Sequence, residues 1–260
     1  MRTPQRPTLR LVTFNILNGR APDRHEVDLT TYADAIKSLD ADVLALQEVD
    51  RNQPRSAGAD LTAVAAEAMG AVDHRFVAAL SGTPGATWTA ATGEEQPASA
   101  AYGIALLSRH PVTAWETVRL PPVPFPAPWR HHDRMLPSLE RDEPRVAVAA
   151  RIDSPIGPLT VANTHLSFIR WWNGRQLRLL MRSLAPLPRP LVLVGDLNMG
   201  PERALAGSRL TALGARLTFP ADAPREQIDH VLADPALRAR TTTRRLPVSD
   251  HLALVADLDG

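Results

Sequence analysis

The sequence predicts an α/β or α+β protein in which β-sheets pack together and helices flank them. Two observations lead there: short apolar runs of strand character recur along all 260 residues, and only a few helix-period segments lie among them. No internal repeat, heptad run or break in composition divides the chain, so residues 1–260 are expected to form one domain.

The first run, "LRLVTF" (9–14), ends at Asn15. In "DLTTYADAIKSLD", Leu29, Tyr32, Ala33, Ile36 and Leu39 share one helical face behind Asp28, a suitable N-cap. "DVLALQ" (42–47) runs into Glu48, and "DLTAVAAEAMG" offers a second helix, capped by Asp60 and stopped by Gly70. The stretch 81–100 is polar and rich in Gly, Thr and Ala, which predicts a mobile inserted loop. "GIALLS" (103–108) leads into Arg109. Residues 119–145 pack five prolines into 121–128, then Trp129, Arg130, His131, His132 and several charges. An insertion of this length is usually functional or disordered.

Beyond it, "RVAVAARI" (145–152) begins at Arg145 and "LTVANTH" (159–165) ends at His165. A third helix pattern, "NGRQLRLLMRSLAP", places Leu177, Leu180, Met181 and Leu184 on one side and stops before Pro186. "PLVLVGD" (190–196), "IDHVLA" (228–233) and "LALVADL" (252–258) complete the strands.

Composition narrows the function. The absence of cysteine excludes disulfides, thiolate metal sites and a Cys nucleophile. A net charge of +1 falls short of the basic excess of a dedicated nucleic-acid binder. Lys37 is the sole lysine, and the arginines are spread along the chain instead of gathered at a site. The N-terminus lacks the apolar core of a signal peptide and no stretch is long enough to span a bilayer, so a soluble, cytoplasmic protein, acting as a monomer, is expected.

Chemistry concentrates where strands begin and end. Asn15, Glu48, His165, Asp196, Asn198, Asp229 and the Asp250-His251 pair all sit at the borders of apolar runs, and these residue types suit a hard metal ion and proton transfer. In "VLVGDLNMGP", Asp196 and Asn198 are two apart and project from one face, or else they are ordinary turn residues. Glu48 borders the core beside Leu46 and Val49, where an unpaired carboxylate is costly. Either Mg²⁺ offsets that cost or Glu48 is partly exposed.

Taken together, "LVTFNILNG", "ADVLALQEVD", "YGIALLSRHPV", "VANTHL", "LVGDLNMGP", "IDHVLA" and "SDHLALVADL" resemble, in content and order, the motifs of the endonuclease/exonuclease/phosphatase superfamily, over residues 9–258. The resemblance implies a four-layer α/β/β/α sandwich of two packed mixed sheets and Mg²⁺- or Mn²⁺-dependent hydrolysis of a phosphate ester. It makes Glu48 the principal metal ligand, with Asn15 and Asp250 beside it. His251 becomes the base that activates water, oriented by Asp229. Asp196 and Asn198 position the nucleophile and a phosphate oxygen, and His165 stabilises the transition state or assists the leaving group. Arg109 and Arg145 are candidate phosphate contacts. His230 departs from the aromatic residue many members carry after the Asp.

The histidine of "NTHL" is missing from abasic-site endonucleases of the superfamily, so a small or lipid-derived phosphate ester is favoured over nucleic acid. A DNase I-like nuclease and a catalytically silent binding module are the alternatives. Phe125, Trp129, Arg130, His131 and His132 of the Pro-rich insertion are read as a wall of the substrate site, a contact with a membrane surface, or a surface excursion. Trp171 or Trp172 lines the cleft or packs in the core.

Overall fold

The structure, a computed structural model, describes residues 7–129 and 138–260. The chain runs β1 (Thr8–Asn15), α1 (Leu29–Leu39), β2 (Val43–Arg51), α2 (Leu61–Met69), β3 (Asp73–Gly82), β4 (Trp88–Ala90), β5 (Ala101–Ser108), β6 (Val112–Leu120), β7 (Ala127–Trp129) and β8 (Ser138–Glu140). It continues through β9 (Arg145–Ser154), β10 (Gly157–His165), α3 (Arg170–Leu184), β11 (Leu191–Asp196), α4 (Pro201–Ser208), β12 (Thr211–Ala212), β13 (Asp229–Ala233), β14 (Arg238–Arg244) and β15 (Ala253–Asp259). A seven-stranded sheet has the order β14-β15-β1-β2-β5-β3-β4, and a six-stranded sheet has the order β12-β13-β11-β10-β9-β6. Among the described residues, no helix is long and apolar enough to cross a membrane.

The predicted sandwich follows from which faces are apolar. Strand residues such as Leu11, Ala45, Val148, Val161 and Val194 meet between the sheets. The opposite face of the first sheet, with Val12, Phe14, Leu44 and Leu46, packs under Tyr32, Ile36 and Leu39 of α1 and Leu61 and Ala65 of α2. On the second sheet, Ala162, Leu191 and Leu193 pack under Leu177, Leu180 and Leu184 of α3. The caps behave as expected: Asp28 accepts from Thr30 N and Thr31 N, Asp60 from Thr62 N and Ala63 N, and Gly70 ends α2 at φ +68°.

Two expectations need correction. The stretch 81–100 is not all loop, because Trp88–Ala90 forms β4 on the edge beside β3. Within 119–145, β7 and β8 pair as a separate two-stranded ribbon. These three strands are each three residues long, too short to show a period, and the polar or Pro-rich sequence around them reads as loop.

The layers are also held by polar groups buried between them. Gln47 Nε2 donates to Asn163 Oδ1 at 2.7 Å across the two sheets and to Thr13 Oγ1 at 3.0 Å. Asn163 Nδ2 donates back to the carbonyls of Leu46 and Ala105 at 2.9 and 2.8 Å. Both amide side chains are fully buried, so each lost partner leaves a stranded group. Asn163→Leu is expected to destabilise the fold by about 3 kcal/mol, the cost of two or three such groups. The urea unfolding midpoint measures it.

Candidate active site

Residues from both sheets converge at one rim of the sandwich. In the first sheet, β1 and β2 run parallel, with Asn15, the last residue of β1, opposite Gln47. Glu48 follows at a register shift between Leu46 and Val49, with φ +56°. The bulge turns its side chain away from the alternation of β2 and towards the rim. In the second sheet, β10 and β11 also run parallel and bring His165 opposite Asp196. Gly195 permits this pairing, since a Cβ there would lie 1.9 Å from Thr164 O. Asp196 in turn pairs with Asp229 on β13. Asp250 and His251 arrive from the turn before β15, where Ser249 Oγ holds Asn15 O at 2.5 Å and accepts from His251 N at 3.0 Å.

These groups line a cleft of about 1120 Å³ that includes Glu48, Arg145, His165, Asp196, Asn198, Asp250 and His251. Asn15 and Asp229 stand behind it. Asn15 Nδ2 donates to Glu48 Oε1 at 3.0 Å and to Asp196 Oδ2 at 3.1 Å, which ties the two sheets together at the site. His251 Nδ1 donates to Asp229 Oδ2 at 2.9 Å, and its Nε2 lies 3.9 Å from Asp196 Oδ2. Burial opposes the charge on His251, but Asp229, Asp196 and Asp250 outweigh it and raise its pKa to about 10. Asp196, buried and facing Asp229, is pushed up to about 7.

His165 is the opposite case. Burial, with help from Arg145 and His251, holds its pKa well below the ordinary 6.5, so it is neutral. Both ring nitrogens meet donor-only groups, Arg145 NH1 at 3.3 Å from Nδ1 and the Asn198 amide nitrogen on the Nε2 side. Nε2 also lies 3.5 Å from Asp196 Oδ2. Asn198 closes the group: its Nδ2 donates to Leu166 O at 2.9 Å and lies 3.2 Å from His165 Nε2, and its backbone N donates to Asp196 Oδ1 at 2.9 Å.

The carboxylates of Glu48 and Asp250 suit a hard divalent ion, and Asn15 stands beside them with Nδ2 towards Glu48 and Oδ1 accepting from Leu17 N at 3.2 Å. The fit is supported by electrostatics: burial raises the Glu48 pKa and the nearby Asp250 raises it further, the condition a cation between them relieves. A different trio, Asp196, Asp229 and His251, has ligand atoms within 4.8 Å of one another. His251 and Asp229 are already bonded to each other there, at 2.9 Å.

Not every candidate reaches the cleft. Arg109 follows the far end of β5, where Nε donates to Met69 O and NH1 to Asp40, both at 2.7 Å, so it is an ion-pair partner remote from the site. His230 points away from the cleft and meets Met199 O through Nε2 at 2.8 Å. Trp171 is exposed, and Trp172 is half-buried with Nε1 donating to Pro121 O at 2.8 Å, so neither lines the cleft. The backbone of Trp129 lies in β7, while Arg130, His131 and His132 lie outside the described residues. The structure adds Tyr102, Phe168, Arg170, Arg203 and Phe219 to the cleft lining. Tyr102 stands one residue before "GIALLS", at the same strand end as the site, and only that position signalled it.

Behind Glu48 lies a second polar layer. Asp50 is fully buried and accepts from Arg55 Nε and NH2 at 2.7 Å each and from Ser56 Oγ at 2.5 Å. Asn18 Nδ2 donates both to Asp50 Oδ1 and to the Glu48 carbonyl at 3.3 Å, which steadies the left-handed backbone of Glu48.

The Endonuclease/Exonuclease/phosphatase family model matches residues 12–251. No curated protein matches the chain. Among solved structures, an endonuclease/exonuclease/phosphatase from Beutenbergia cavernae is 25% identical with a TM-score of 0.66, over 98% of this chain and 72% of that one. An endonuclease/exonuclease/phosphatase family protein from Bacteroides thetaiotaomicron is 16% identical with a TM-score of 0.65, over 98% of both chains. A mannosyl-6-phosphatase from the same organism is 15% identical with a TM-score of 0.65, over 97% of this chain and all (100%) of that one. The last two likenesses speak to the fold.

The His251 shift carries a pH dependence for the metal-free protein. Its folded pKa of about 10 lies above the ordinary 6.5, so the charged His251 contributes stability in full below pH 6.5 and loses it as pH rises towards 10. In EDTA, the gap in urea midpoint between the wild type and His251→Gln is expected to narrow steadily from pH 6.5 to pH 10.

Proposed function

This chain belongs to the endonuclease/exonuclease/phosphatase family, whose members are hydrolases of phosphoester bonds, and we propose that it hydrolyses a small or lipid-derived phosphate ester with Mg²⁺ or Mn²⁺. The observation that carries the reading is the His251–Asp229 pair, at 2.9 Å, which turns His251 into one cleft with the neutral His165 ring, the Asn198 amide and the cation of Arg145.

His251 accepts the proton of the attacking water at Nε2, while Asp229 holds the ring by Nδ1. Asp196, within 3.9 Å of Nε2, shares the orientation of that water. On the other side, Arg145 and Asn198 Nδ2 present donors to the phosphoryl oxygens, with the neutral His165 ring between them. Arg145 and Asn198 are fixed before the substrate arrives, the first by His165 Nδ1 and the second by the Leu166 carbonyl. Glu48 and Asp250, with Asn15 beside them, would hold the divalent ion, which when bound would neutralise charge developing on the phosphoryl oxygens and offset the acidic field that keeps His251 protonated.

The wall of the cleft favours a small ester over a polyanion. Arg141, Arg170 and Arg203 line it, but Glu143, Glu202 and Glu226 are interleaved with them. A strand of nucleic acid would meet alternating attraction and repulsion there. The mannosyl-6-phosphatase of like fold acts on a sugar phosphate, as its name says, which is compatible with a small substrate.

Bis(p-nitrophenyl) phosphate is expected to be turned over, with loss in EDTA and recovery with Mg²⁺ or Mn²⁺. His251→Ala is expected to lower kcat by about 10²-fold or more, the usual share of a general base, and Glu48→Gln is expected to lower it by removing a carboxylate from the ion site. Full activity in either variant, or turnover indifferent to EDTA, would defeat the reading. Nicking of supercoiled plasmid faster than hydrolysis of any sugar or lipid phosphate would replace it with the nuclease reading.

A further inference from the structure

Two aromatic side chains stand on the surface beside the cleft. Phe125 and Trp171 are 56% and 55% exposed, and their rings stack with centroids 6.1 Å apart and planes at 19°. Trp172 braces the pair edge-on at 5.5 Å, and the Arg175 guanidinium lies over the Trp172 ring at 5.2 Å. Apolar surface of this kind, gathered and not scattered, marks a place of contact. The segment "LPPVPFPAPW" (120–129) around Phe125 holds no charged residue.

From Trp171 the solvent face of α3 continues through Arg175, Arg178 and Arg182, which recur at helical spacing and are all exposed. α3 contains no acidic residue. Among the described residues, the side chains of Arg178 and Arg182 make no hydrogen bond or ion pair. An uncompensated basic stripe therefore extends from an exposed aromatic patch.

We propose that the Phe125–Trp171 stack and the arginine face of α3 dock this protein on an anionic lipid bilayer. Aromatic rings favour the boundary between headgroups and acyl chains, and arginines along the same side meet the anionic headgroups. Nucleic acid fits the stripe but not the uncharged Pro-rich segment, which has almost no donors for phosphates or base edges. Arg170, the residue before Trp171, lines the cleft, so the docked surface adjoins the cleft mouth. A headgroup ester would enter from there, a consequence that rests on the function proposed above; the docking itself does not.

Sedimentation with vesicles of phosphatidylcholine, alone or mixed with phosphatidylserine, reads docking in EDTA, without turnover. The wild type is expected to pellet with the phosphatidylserine vesicles and to be released by high salt. Phe125→Ala/Trp171→Ala should weaken partition at least tenfold. Arg175→Gln/Arg178→Gln/Arg182→Gln should weaken it on the order of a hundredfold, at about fivefold per arginine. In both variants the hydrolysis of soluble bis(p-nitrophenyl) phosphate should be unchanged, which also shows that they are folded. Wild type that stays in the supernatant, or variants that pellet as well as the wild type, overturns the proposal. Binding to duplex DNA, lost in the same variants, with no vesicle binding, assigns the surface to nucleic acid and overturns it too. Absence of soluble turnover in a wild type that still pellets defeats the proposed function and leaves docking standing.

Discussion

The bridge between Gln47 and Asn163 is the constraint from which the site follows. Two sheets packed only by Val, Leu and Ala side chains could slide against each other at little cost, since apolar contact is not directional. Buried amides cannot slide, because each has few partners within reach and none in solvent. Asn163 binds the Leu46 and Ala105 carbonyls of one sheet while its own strand ends two residues later at His165. Gln47 precedes Glu48. The same link that registers the sheets therefore sets the spacing between the two halves of the cleft.

Within the cleft, the two histidines are held in opposite charge states. His251 is kept positive by carboxylates, whereas His165, on the other sheet, is kept neutral by burial and by Arg145. One imidazole is thus suited to exchange a proton and the other to hold one. The backbone contributes as well: Leu17, Asn18, Glu48, Asn198 and Ser249 all have positive φ, and all lie on the loops or bulge around the site. Such conformations cost free energy and persist only where neighbours over-determine them, as the Asn18, Asp50, Arg55 and Ser56 network does at Glu48.

Much of the architecture was legible in the sequence, because it is written in local periods. The apolar runs at 9–14, 103–108 and 190–196 became β1, β5 and β11, and Asp28, Asp60 and Gly70 became caps. The strands that left little trace are those with little to bury. β14, on a sheet edge, has only Thr241 buried, and β6, on the other sheet's edge, is mostly solvent-facing, so neither needs an apolar alternation. β3 begins with the exposed polar stretch from Asp73 to Arg75, which masks its buried second half.

What the sequence determined by itself is a set of candidates: Asn15, Glu48, His165, Asp196, Asn198, Asp229, Asp250 and His251 stand out because they border apolar runs. It could not sort Arg145 from Arg109, since both flank strands and only strand direction puts one in the cleft and the other beside Asp40. Nor could it give the neutral state of His165, the orientation of His230, or the exposure of Trp171 beside the half-buried Trp172. Those depend on contacts between distant segments, such as Asn15 with Asp196, 181 positions apart. Local pattern sets which face of a strand is apolar; which strand ends meet, and in what protonation state, is decided only when the two sheets close on one another.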